Sequence, residues 1–69
     1  MSDETMQFRL FIDCDNAAFE DEPAHELARI LRDVAKRIES GDGFDTWRDL
    51  RDVNGNVAGK AALKARDRF

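Results

Sequence analysis

Sixty-nine residues with a single cysteine and a net charge of −4 describe one small domain with neither a disulfide framework nor a thiolate metal cluster. A domain of this length buries only about 60% of the surface its unfolded chain exposes, so the core is thin and there is no room for a deep pocket flanked by a second layer. The N-terminal MSDETMQFRL lacks the basic segment and apolar run of a signal peptide, and no stretch approaches the roughly 18 apolar residues of a membrane span, which leads us to expect a soluble protein of a reducing cytoplasm.

Met6 to Asp13 alternates, with Met6, Phe8, Leu10 and Ile12 on one side and Gln7, Arg9, Phe11 and Asp13 on the other, and so predicts a half-buried strand. Cys14 to Glu22 breaks that alternation, and Ala17-Ala18-Phe19 predicts a tight connection held by one aromatic plug. Asp21 or Glu22 can accept from the unpaired N–H groups of a helix start, and Pro23 suits the first turn because it has no N–H to leave unpaired. From Pro23 to Ser40, the residues Leu27, Ile30, Leu31, Val34 and Ile38 recur at spacings of three and four, the stripe of an amphipathic helix, and Gly41 supplies its stop. Glu26 with Arg29, Arg29 with Asp33 and Asp33 with Arg37 are candidate surface pairs worth about 0.2–0.5 kcal/mol each.

Asn54-Gly55 predicts a two-residue hairpin turn of type I′, with positive φ at both positions, between Phe44–Val53 and Asn56–Leu63. In that register Asp52 faces Val57, Leu50 faces Gly59, Asp49 faces Lys60 and Trp47 faces Ala62, while Leu50, Val57, Ala61 and Leu63 fill the inner face. Lys64 to Phe69 reads as a basic tail with Phe69 able to dock. The expected fold is therefore α+β, a β-α-β-β chain of one domain over residues 1–69, frayed at 1–5 and 65–69. One helix packs on a three-stranded antiparallel sheet of order 1-3-2. Its outer face is open, and Arg9, Phe11, Trp47, Arg51 and Lys60 are the candidates to line it.

No catalytic constellation accompanies this frame, and we expect no enzyme, no cofactor and no metal centre. The single His25 falls in the first helical turn, and Cys14 lies between Asp13 and Asp15, whose charges disfavour a thiolate. Asp52-Val-Asn54-Gly-Asn56 has the opening oxygens of a calcium loop, but Val57 stands where the loop needs glycine and Leu63 where it needs a bidentate glutamate. The hairpin turn accounts for the same residues.

The charge is lopsided. Residues 1 to 26 hold eight acids against Arg9, a sum of −7, whereas residues 27 to 69 hold seven acids and ten bases, a sum of +3. Acids after Phe19 and bases at Lys36 and Arg37 suit the helix dipole, but Asp13 and Asp15 lie outside its reach. Asp13, Asp15, Glu20, Asp21, Glu22 and Glu26 are thus the candidate docking surface for a basic partner, either a host protein or a nucleoprotein complex. The open face offers a rival reading as a single-strand binder, which a sequence pI near 4.8 opposes, and a further one as the contact of a homodimer.

The segments FRLFIDCDNAAF, EDEPAHELARILRDVAKRI and DLRDVNGNVAG, with their N-A-A-F, E-x-A-R-I-L-R and D-x-N-G-N patterns over residues 6 to 59, resemble small proteins of unknown function encoded by tailed bacteriophages and prophages. The resemblance implies an accessory product made in the cytoplasm of an infected or lysogenic bacterium. By analogy with small acidic phage proteins that block host defence complexes, it implies an anti-CRISPR-like inhibitor acting through protein–protein binding. No site residue is carried over from that resemblance.

Overall fold

The computed structural model describes residues 5–69 and runs β1 (Met6–Ile12), a 3-10 turn at Ala17–Phe19, α1 (Pro23–Glu39), β2 (Arg48–Arg51), β3 (Val57–Ala65) and a second 3-10 turn at Arg66–Arg68. The strands form one antiparallel sheet in the order β1-β3-β2, the expected α+β arrangement. A helical return followed by a hairpin puts the last strand in the middle, where it bonds to both others. Its register with β1 runs from Met6 opposite Ala65 to Ile12 opposite Gly59.

Helix α1 lies over the inner face. Ile30 and Val34 from the helix, Leu50 from β2, Ala58 and Ala61 from β3 and the flanking Phe19 and Phe44 make the core, with Leu10, Ile12, Leu27 and Leu63 packed at its margin. Phe19 is the expected plug: Asn16 caps its turn by accepting from the Ala18 N–H at 3.1 Å. The predicted apolar stripe is wider than the buried one, because Leu31 and Ile38 remain exposed beside it. At the C-terminal end the Gly41 N–H donates to Ile38 and the Asp42 N–H to Arg37, a Schellman closure that needs the positive φ of Gly41, 84°. At the other end Glu22 is the N-cap residue but makes no side-chain capping bond, so neither acid caps the helix in the expected way. Pro23, lacking an N–H, reduces the need for one.

The hairpin departs from the predicted type I′ turn. Asp52 N–H donates to Asn56 O at 2.9 Å and Gly55 N–H to Asp52 O at 3.0 Å, which closes a three-residue loop, Val53-Asn54-Gly55. Only Gly55 has positive φ, 84°, so Asn54 is spared the left-handed region. Asn-Gly serves either loop, since both place glycine in the left-handed position. The extra loop residue is absorbed downstream. Arg48, Asp49 and Leu50 face Ala61, Lys60 and Gly59 as predicted, but Arg51 faces Val57, leaving Ala58 as the bulged residue of β3. Ala58 turns inward, and Val57, assigned to the core from the sequence, stands 52% exposed.

Strand β2 is also shorter than the predicted Phe44–Val53, although Phe44 O still accepts the Leu63 N–H at 2.7 Å. The tail is built in where fraying was expected. Ala65 pairs with Met6, Arg66 N–H donates to Thr5 O at 2.9 Å, and the Phe69 ring packs on Trp47 with centroids 5.7 Å apart. Of the N-terminal residues expected to fray, 1–4 lie outside the described residues. No helix among the described residues is long and apolar enough to cross a membrane.

Candidate functional site

The β1–β3 register brings the end of β1 to the hairpin end of the sheet, where Asp13 N–H donates to Ala58 O at 2.8 Å. The helix starts at the same end, since the Val53 N–H of the hairpin loop donates to Glu26. Five of the six acids singled out from the sequence, Asp13, Asp15, Glu20, Asp21 and Glu22, therefore gather toward one end of the molecule. All five are exposed, and none forms an ion pair among the described residues.

Asp13 and Asp15 line a depression of about 500 Å³ together with Asn16, Asn56 and Asp49, with Phe11 and Val57 as apolar walls and Lys60 also in the lining. Asp49 belongs to β2 and was not among the acids chosen from the sequence. Its register opposite Lys60 was legible, but the expected charge pair does not close. The Lys60 ammonium sits 4.9 Å from the Trp47 ring centroid, and the Asp49 carboxylate is 4.0 Å from Arg51 Nη2. Asp49 is thereby left to face the depression.

Glu26, the sixth acid, cannot serve as a docking residue because it is only 5% exposed and fully committed. Arg29 donates through Nε to Oε1 at 2.7 Å and through Nη2 to Oε2 at 3.1 Å, and the Val53 N–H donates to Oε2 at 2.7 Å. Arg29 also donates to Arg51 O at 3.1 Å, so one acid–arginine pair ties helix, β2 and hairpin loop together. These bonds, the Arg29 guanidinium first, hold the Glu26 carboxyl below its ordinary value of 4.5 against the opposing effect of burial. A carboxyl depressed in the folded state contributes stability above its unfolded pKa. That contribution is lost as pH falls through the folded value. We expect a Glu26→Gln variant to be less stable at neutral pH and to lose part of the wild-type stability decline below about pH 4.5, as read from urea unfolding across pH. Parallel pH profiles for the two proteins would contradict this.

Asp52, the head of the calcium-like segment, accepts the Asn54 and Asn56 N–H groups on Oδ1, both at 2.9 Å, and so organises the hairpin loop. His25 and Cys14 are exposed.

On the outer face the structure joins four of the five predicted residues and adds two. Phe11 and Trp47 lie 5.8 Å apart, Phe69 extends the row beyond Trp47, and Arg9, Lys60 and Lys64 stand over the rings. Arg51 is absent from this group because its Nη1 donates to Gly55 O in the hairpin loop at 2.9 Å. Beneath the cluster Ala62, opposite Arg9, is fully buried although it lies outside the inner core. Phe69 docks as the sequence allowed, whereas Lys64 was hidden in a segment read as tail. The period-two continuation of β3 through Lys64 was the signal that could have found it.

No protein-family model, curated protein or solved structure matches the chain.

Proposed function

We propose that the chain acts by binding a protein, with its acidic end against a basic surface. The observation that carries this reading is the convergence of Asp13, Asp15 and Asp49, from a loop and a separate strand, on one depression with apolar walls. Carboxylates around an apolar cleft fit the guanidinium or ammonium of a partner's arginine or lysine, whose methylene stem would lie along Phe11 and Val57. Glu20, Asp21 and Glu22, exposed nearby, raise the rate of encounter with a positive surface more than they raise affinity.

The sharpest form of the proposal rests on the phage-protein resemblance. It is an anti-CRISPR-like inhibitor of a bacterial defence complex, working in the host cytoplasm by presenting carboxylates where its target receives phosphates. Purified target complexes captured by the protein from bacterial lysate provide the test. We expect Asp13→Asn/Asp15→Asn/Asp49→Asn to weaken binding by about 100-fold or more, on the scale of roughly 1.5–3 kcal/mol for each charge-assisted contact, while folding stability stays within about 1 kcal/mol. Equal affinity for wild type and the triple variant would refute the acidic-end reading.

A further inference from the structure

The outer sheet face carries a second set of groups whose chemistry differs from that of the acidic end. Phe11, Trp47 and Phe69 form a row of three rings, with successive centroids 5.8 and 5.7 Å apart. Arg9 lies with its guanidinium carbon 4.2 Å from the Phe69 centroid, Lys60 4.9 Å from that of Trp47, and Lys64 5.4 Å from that of Phe69. None of these three cations is in an ion pair among the described residues. The rings hold the cations in place without neutralising them, because a cation over an aromatic face keeps its charge. Phe11 is 56% exposed, so a flat hydrophobic surface adjoins the fixed positive charges.

The acids border one end of this patch, where Asp13, Asp15 and Asp49 share a depression with Phe11 and Lys60, and its other two cations stand farther off. Arg9 and Asp13 are four residues apart along one extended segment, about 13 Å, and Lys64 lies opposite Gln7, about 20 Å from Asp13 along the sheet. Both separations exceed the screening length of about 10 Å at 0.1 M salt. Asp49, opposite Lys60 in the β2–β3 register, has Arg51 Nη2 4.0 Å from its carboxylate.

We propose that this face binds single-stranded nucleic acid, with bases stacking on Phe11 and Trp47 and phosphates meeting Arg9, Lys60 and Lys64. An acidic peptide would satisfy the cations but leave the rings without flat partners. A double helix would present phosphates while keeping its bases stacked inside. A single strand supplies both charge and planar rings. Phe11 and Lys60 also line the acidic depression, so the two readings are told apart by the residues they do not share: Arg9 and Lys64 here, and Asp13, Asp15 and Asp49 there.

Anisotropy of a fluorescein-labelled oligothymidylate, titrated with the full chain at several salt concentrations, tests it. Trp47 is the single tryptophan, so its own fluorescence reports stacking. Three phosphate contacts predict a slope of log affinity against log salt of about −2, and Arg9→Gln/Lys64→Gln should reduce it to about −0.7. Phe11→Ala should weaken binding about tenfold without changing that slope, and Phe11→Leu, which keeps the bulk but not the flat face, should do the same if the alanine variant folds poorly. Asp13→Asn/Asp15→Asn/Asp49→Asn should retain binding. Absence of binding at low salt would overturn the proposal. So would binding that leaves Trp47 unquenched and ignores both Phe11 variants, an equal affinity for a duplex, or full competition by polyglutamate.

Discussion

Replacing Gly59 by alanine is expected to leave much of the chain unfolded at room temperature. A Cβ on Gly59 would stand 1.9 Å from the Phe11 carbonyl oxygen and 2.8 Å from its carbon, both backbone atoms of the paired strand. Relief would require β1 and β3 to separate next to the bulge at Ala58, where the hairpin has already used its freedom. Overpacking of this kind costs about 1–3 kcal/mol and more when backbone must move, whereas a core this small supplies only about 3–5 kcal/mol in total. Urea unfolding followed by circular dichroism would measure it. A loss smaller than about 1 kcal/mol would mean that the two strands do not approach as closely as described.

A comparable loss is expected from Ile30→Ala, with a built-in comparison one residue away. Ile30 is 1% exposed and lies between helix and sheet, while Leu31 is 43% exposed on the shoulder of the same helix. Truncating Ile30 removes buried methyl groups and leaves a cavity that the six other buried core residues cannot easily collapse around, a cost of about 2–5 kcal/mol. Leu31→Ala should change stability by about 1 kcal/mol at most, since alanine favours the helix and little buried surface is lost. Similar losses in the two variants would place the helix in a different rotation about its axis.

How far the sequence could be read is clearest at these elements. Period-two alternation from Met6 placed β1, the three-and-four spacing with Pro23 and Gly41 bounded α1 to within a residue, and the Asn54-Gly55 signal located the hairpin and with it the strand order. Each depends on neighbours within one element. The features that were not legible depend on contacts between elements. Glu26 looked like any acid of a first helical turn until the hairpin loop delivered the Val53 N–H to it. Val57 exchanged places with Ala58 because the loop took three residues instead of two, a choice for which Asn-Gly is compatible with both outcomes. Asp49 joins Asp13 and Asp15 at one depression only through the pairing of β2 with β3 and of β3 with β1.

The same distinction applies to charge. The −7 and +3 halves of the sequence do not map onto two simple faces, because Glu26 is internal and Arg9 belongs with the cations of the second half. Folding sorts the side chains into an acidic end and a cationic aromatic face, and an average such as net charge hides both.

The small residues of β3 have a consequence for the history of this fold. Ala58 and Ala61 are buried under the helix, Ala62 is buried under the outer rings, and Gly59 admits the neighbouring backbone, so the central strand is limited in volume on both sides at once. Positions 58, 59, 61 and 62 of that strand have room only for glycine or alanine-sized residues. Distant relatives would therefore be recognised less by their charges than by a short run of the form A-G-x-A-A, preceded by a glycine loop and paired with a strand that ends in aromatic and branched residues.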